Sequence, residues 1–244
     1  MYRENMLVSS SRSGTNFFLE VFGKCDPDAL VLREIFRKGG DSLRAVGQAT
    51  RMPEAEAARL AREDPVALWR AICDRGRADD RQVIAKIFYY HAPERAAIWR
   101  RLRESANVIH LVRRNLFRAF VSLKVAEATG VWQLRSGEDA RPEPLRIDAS
   151  EAEAFIAARL QRTEWARRFF AGPRYREVHY EDISPSPGHC ARAIAALGLA
   201  EPPATAELAL EIRKQGPDDL SLRVRNYAEV RHLDRDHAGH AACR

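Results

Sequence analysis

Three stretches of the chain carry residue types that chemistry needs. The first is Ser9-Ser10-Ser11-Arg12-Ser13-Gly14-Thr15-Asn16, which joins an apolar run to an apolar helix candidate. A glycine at position 14 lets backbone approach a ligand closely. The hydroxyls at 13 and 15 can donate, and a helix start presents unpaired N–H groups at a positive dipole end. Arg12 adds a fixed charge and a planar fork suited to phosphate or sulfate oxygens. Together these make an anion cradle; the plainer alternative is a Ser/Thr-capped helix with an exposed arginine. The loop lacks the second glycine and the lysine of the Walker A pattern, which disfavours an ordinary ATP- or GTP-hydrolysing protein.

The second stretch, Val108 to Ala126, reads VIHLVRRNLFRAFVSLKVA: a strand, a basic turn and a helix. On a helix, Arg114, Arg118 and Ser122 fall along one face. Adjacent arginines at a helix start oppose its dipole, so an anionic partner is expected there, although Arg118 can equally face water. The third group is Glu34, in Leu32-Arg33-Glu34-Ile35-Phe36, with Lys86 and His91 at the two ends of Lys86-Ile-Phe-Tyr-Tyr-His91. Burial among Leu32, Ile35 and Phe36 is expected to raise Glu34 toward the range of a general base. A surface salt bridge to Arg33 or Arg37 is the alternative. His91 competes for the role because histidine titrates near neutrality unaided, and Lys86 lies on one strand face from which it could reach an acceptor.

On these residues the chain resembles the sulfotransferases that use 3′-phosphoadenosine 5′-phosphosulfate (PAPS). SSSRSGTNFF is similar to their 5′-phosphosulfate loop, in which [KR]-S-G-T follows a strand. The resemblance implies that Arg12, Ser13, Gly14, Thr15 and Asn16 surround the 5′-phosphate and the sulfuryl group, with Arg12 where many relatives carry lysine. Arg114 and Ser122 have the spacing of the family's 3′-phosphate pair, and Arg114-Asn115 matches its frequent R-N dipeptide. Val178-His179-Tyr180-Glu181-Asp182-Ile183 resembles its Y-E-D segment, which implies that Tyr180 contacts the adenine. Lys214 to Leu233 resembles the closing segment of the nodulation and trehalose-type bacterial enzymes and would bring Arg213 or Lys214 to the phosphates. Bacterial and glycan-type relatives place a catalytic glutamate at a segment like that of Glu34, which makes it the preferred base over His91. The resemblance covers residues 5–40, 80–128 and 175–233.

What it implies is an in-line sulfuryl transfer to a hydroxyl of a carbohydrate, glycolipid or small molecule, leaving adenosine 3′,5′-bisphosphate and using no metal. The acceptor is then a small molecule or glycan rather than nucleic acid, and a homodimer is compatible with the family. Two rival classes stay open: a non-catalytic phosphate- or nucleic-acid-binding protein, and a degenerate P-loop nucleotide kinase.

The elements that must position these residues read as α/β. Asn5 to Ser9, Val83 to Tyr90, Val108 to Val112 and Arg176 to Tyr180 look like short buried strands. They alternate with helical patterns at 16–22, 93–104, 116–128, 149–170 and 188–197, which implies a P-loop-like parallel sheet covered on both faces. Residues 41–77 read as two amphipathic helices inserted at the sheet edge. The irregular stretch 132–148 reads as a flexible loop, and 234–244 as a polar, frayed tail to a single domain spanning 1–233. The net charge of +6 is dispersed, with no basic block, which favours a phosphate-rich small ligand over a polynucleotide. Cys25, Cys73, Cys190 and Cys243 stand singly, so neither a disulfide framework nor a structural zinc site is expected. No signal peptide and no apolar run of membrane-spanning length is evident, and a bacterial cytoplasmic protein is the expectation.

Overall fold

In the computed structural model, residues 1–37, 42–135, 143–203, 208–213 and 218–237 are described, with the side chains of Arg135 and Arg213 outside that set. The chain runs β1 (Arg3–Ser9), α1 (Thr15–Cys25), β2 (Leu30–Glu34), α2 (Leu43–Thr50), α3 (Glu54–Glu63), α4 (Pro65–Ala78), β3 (Gln82–Phe88) and α5 (Ala97–Ser105). It continues through β4 (Asn107–Val112), α6 (Leu116–Thr129), β5 (Leu134–Arg135), α7 (Ala149–Phe170), β6 (Tyr175–His179), α8 (Tyr180–Ile183), α9 (Pro187–Ala196), β7 (Ile212–Arg213) and α10 (Tyr227–Val230). Five strands form one parallel sheet in the order β2-β3-β1-β4-β6. The α/β architecture expected from the alternation of strands and helices is therefore present. β5 and β7 add a short antiparallel pair with no clear signal in the sequence.

Strand alternation divides the core into two layers. Met6, Val8, Val83, Ala85, Ile87 and Val108 pack on one face against α4 and α5, with Trp69 and Trp99 fully buried among them. Leu7, Ile84, Ile109 and Leu111 face the other way, onto Phe18 and Phe22 of α1 and Ile194 of α9. A third cluster joins α6 and α7 to the C-terminal stretch through Phe117, Phe120, Ile156, Leu220 and Val230.

Two expectations change here. The stretch 41–77 forms three helices rather than two: α3 and α4 are the expected pair, and α2 precedes them, a short helix with only Leu43 and Val46 buried. Nor is it an addition at the sheet edge. Leu68, Trp69 and Ile72 fill the core, because a parallel crossover from β2 to β3 must cover the sheet face it passes over. At the other end, the tail is docked as far as it is described. Asp234 takes two hydrogen bonds of 2.8 Å from Arg118, and His237 N donates to Arg114 O at 2.8 Å.

Candidate active site

The strand order reverses beside β1, and in open α/β sheets that is where ligands settle, at the carboxyl ends of the strands. Ser9 pairs with Leu111 in the register of β1 and β4, and its hydroxyl donates to Leu111 O at 2.6 Å. The loop leaving β1 and the basic turn leaving β4 therefore start side by side. Arg12 and Gly14 both adopt left-handed backbone, at φ 65° and 81°. At Gly14 this combines with close approach: a Cβ there would lie 2.4 Å from Tyr180 Cδ2, so only glycine fits beneath that ring. Ser13 and Thr15 are buried, and Ser13 Oγ lies 3.0 Å from Ser10 Oγ.

Arg12 reaches across to α6. Its Nε and one terminal nitrogen donate to Ser122 Oγ at 2.9 and 2.8 Å, and the other terminal nitrogen donates to Trp132 O at 2.6 Å. Arg113 donates to Arg12 O at 2.9 Å and stacks its guanidinium 4.6 Å from the centre of the Tyr180 ring. Burial, then the charges of Arg113 and Arg223, lower Arg12 to about 10. Burial likewise lowers Arg113 and Arg223, and Arg223 is further depressed by Arg113 and Arg118. Arg113 Nε and one terminal nitrogen of Arg223 are buried without a hydrogen-bond partner, and neither residue pairs with a carboxylate among the described residues. Guanidiniums gathered this closely, offset only at longer range by Glu181 and Asp218, are an arrangement that can hold an anion.

The neighbouring arginines are placed differently. Arg114 is held by Asp182 at 2.7 Å, Asp236 at 3.5 Å and Glu181 at 3.7 Å. Glu181 also accepts from the backbone N–H groups of Arg114 and Asn115, occupying the start of α6 with the chain's own carboxylate. Arg118 forks onto Asp234. The expected stripe of Arg114, Arg118 and Ser122 is thus not assembled. Arg12 engages Ser122 instead, because four local acids neutralise Arg114 and Arg118. Arg113 and Arg223 are the residues that sequence reasoning passed over. Spacing favoured Arg114, and nothing local distinguished Arg223 within a stretch rich in basic residues. Lys214 and the side chain of Arg213 lie outside the described residues.

The third group does converge. β2 pairs with β3 from Leu30 and Val31, but a register shift then sets Glu34 opposite Lys86. Without that extra residue Glu34 would fall opposite Ile87, whose side chain points to the other face. Lys86 is buried; its Nζ lies 3.1 Å from Glu34 Oε1 and donates to Asn16 Oδ1 at 2.5 Å, which ties β3 to the start of α1. His91 Nε2 lies 3.4 Å from Glu34 Oε2, and its Nδ1 accepts from Phe88 N at 3.2 Å, leaving Nε2 as the protonated nitrogen of the neutral ring. Arg37 approaches Glu34 from outside at 3.9 Å. Burial raises the Glu34 carboxyl as expected, but the contacts with His91 and Lys86 outweigh it and bring the group to about 2. The expected upward shift is therefore reversed. The close contacts with Lys86 and His91 act directly on the charged form, whereas desolvation is incomplete at 16% exposure.

Among the described residues no helix is long and apolar enough to cross a membrane, and no group of three or more His, Cys, Asp or Glu could hold a metal ion. No protein-family model and no curated protein matches the sequence. Among solved structures, the chain is similar to a sulfotransferase domain from the curacin biosynthetic pathway, at 15% identity over 82% of this chain and 75% of that one, with a TM-score of 0.47. It is similar to the sulfotransferase domain of the Synechococcus PCC 7002 olefin synthase, at 18% identity over 82% and 75%, TM-score 0.46. A sulfotransferase from Alicyclobacillus acidocaldarius is similar at 14% identity over 96% and 93%, TM-score 0.46.

Proposed function

We propose that this chain is a PAPS-dependent sulfotransferase, transferring the sulfuryl group to an acceptor hydroxyl. The observation that carries this is the grip of Arg12 on Ser122 and the stacking of Arg113 on Tyr180, with Arg223 close enough to both arginines to repel them, beside the carboxylate–lysine–histidine group of Glu34, Lys86 and His91. A donor with two separated phosphates needs two cationic grips, and a transfer reaction needs a proton acceptor beside them. In this reading the Ser10–Gly14 loop holds the 5′-phosphosulfate. Arg113, Arg223 and Ser122 hold the 3′-phosphate, and Tyr180 offers a ring face to the base.

Sulfuryl transfer resembles phosphoryl transfer, where positioning and charge neutralisation do most of the catalysis. The acceptor oxygen forms the new S–O bond in line with the breaking one. The bridging S–O bond breaks with its electron pair leaving on the nucleotide phosphate, and Glu34 takes the hydroxyl proton. Lys86 and Arg12 neutralise the charge that builds on the sulfuryl and bridging oxygens, while His91 fixes the carboxylate. Calorimetry tests the reading. Adenosine 3′,5′-bisphosphate is expected to bind at least about tenfold tighter than ATP, and an oligonucleotide weakly. A preference for ATP would favour the kinase alternative, and tight, salt-dependent oligonucleotide binding would favour a nucleic-acid-binding protein.

A further inference from the structure

Four large apolar side chains are exposed among the described residues: Met1, Tyr90, Trp132 and Leu222. Two of them flank the Ser10–Gly14 loop. Tyr90 is 58% exposed and meets His91 edge-on at 4.9 Å between ring centres. Trp132 is 55% exposed, and its carbonyl takes the 2.6 Å hydrogen bond from Arg12. Large rings left in water beside a reaction centre are platforms for a flat ligand, since covering them is favourable only when something lies on them.

Cations frame the same mouth. Arg159 of α7 donates to Ser11 Oγ at 3.1 Å and lies 4.8 Å from the centre of the Phe155 ring, and it pairs with no carboxylate among the described residues. Arg37 is 63% exposed, and Glu34, at 3.9 Å, is its one carboxylate contact among the described residues. Glu34 is already shared with Lys86 and His91, so this rim carries more positive charge than its single acid offsets. Neither arginine belongs to the group around Ser122 and Tyr180; Arg159 touches the phosphosulfate loop through Ser11, and Arg37 makes no contact with that loop among the described residues.

We propose that the acceptor is an anionic ring compound, its ring lying against Tyr90 and Trp132 and its carboxylate or phosphate held by Arg37 and Arg159. This deepens the sulfotransferase reading and rests on it. Phenolic acids and sugar acids share this chemistry. Both are tested on protein saturated with adenosine 3′,5′-bisphosphate, following ligand binding by saturation-transfer NMR. The probes are 4-hydroxybenzoate against 4-hydroxybenzyl alcohol, and methyl glucuronide against methyl glucoside.

In at least one pair the acid is expected to bind about tenfold tighter than its neutral partner. The pair that shows it identifies the source. The double variant Arg37→Gln/Arg159→Gln should bring that preference to within about twofold, and Arg37→Gln alone should reduce it while leaving the affinity for adenosine 3′,5′-bisphosphate unchanged. Neutral probes binding as tightly as acids, no binding by any of the four, or an acid preference that survives the double substitution would each overturn the proposal. If adenosine 3′,5′-bisphosphate itself fails to bind, the nucleotide reading falls. The acid preference measured on the protein alone then still decides whether the rim is an anion site.

Discussion

Replacing Arg113 with alanine removes a guanidinium that stacks on Tyr180 and has no carboxylate within 4 Å among the described residues, whereas replacing Arg114 removes one already held by Asp182, Glu181 and Asp236. Hydrogen bonds to charged groups contribute about 1.5–3 kcal/mol, so Arg113→Ala should weaken adenosine 3′,5′-bisphosphate about 10- to 100-fold, with a much smaller effect on AMP. Arg114→Ala should lower the thermal midpoint while changing nucleotide affinity less than about threefold. Calorimetry on both variants checks the contrast, and the reverse pattern would return the phosphate to Arg114. At Glu34, substitution by glutamine should cut turnover by about 10²-fold or more with nucleotide affinity retained. A carboxyl held at about 2 places the acid limb of the kcat profile well below pH 5. A limb near neutrality, where an unaided histidine titrates, would transfer the role to His91.

Among the elements, α4 sets the clearest contrast between appearance and role. Read from composition, 41–77 is an appendage; in the fold, Trp69 lies fully buried in the layer beneath β1 and β3. Trp69→Ala should therefore cost about 3–5 kcal/mol, seen as a lower urea midpoint at unchanged slope. A loss under about 1 kcal/mol would mean that the helix is peripheral after all. The register shift in β2 matters in the same way. One extra residue between Val31 and Glu34 turns the carboxylate from the face of Ile87 to that of Lys86, so the Glu34–Lys86 pair depends on a bulge as much as on its two side chains.

Across the whole molecule, several buried or half-buried acids answer the excess of arginine. Glu34 lies at about 2, and Asp234 and Glu177 are also held below their ordinary values. In each, burial raises the carboxyl, but its partners prevail: His91 and Lys86 for Glu34; Arg118, Tyr227 and Asn115 for Asp234; Arg167, His110 and His179 for Glu177. Since the folded state binds protons less readily at these sites than the unfolded chain, their contribution is complete above the unfolded carboxylate pKa and is lost on acidification. The thermal midpoint should fall as pH drops from 4.5 toward 2, with little change from these groups above about pH 5.5. Glu177→Gln should lower the midpoint at neutral pH and flatten the acid slope; an unchanged slope would remove Glu177 from this account.

Local order is what the sequence by itself determined. Buried apolar runs had to become central strands, the Arg-Ser-Gly-Thr turn had to follow the first of them, and Tyr180 had to follow the last, because periodicity and turn chemistry act over a few residues. Candidate roles for Glu34, Lys86 and His91 were legible, with Glu34 and His91 as rivals, but their mutual contacts came from the fold. Only the tertiary structure decided which arginines are closed in by carboxylates. Arg113 and Arg114 are chemically identical and adjacent. They differ because Glu181, Asp182 and Asp236, more than 65 positions away in the chain, close around one and leave the other facing Tyr180 and Arg12. The downward shift at Glu34 has the same origin. A strand register and a histidine well removed in sequence put charge and hydrogen bonds where burial alone had been expected to govern. Electrostatic neutralisation is a property of distance in space, and that distance is set by the packing of elements rather than by spacing along the chain.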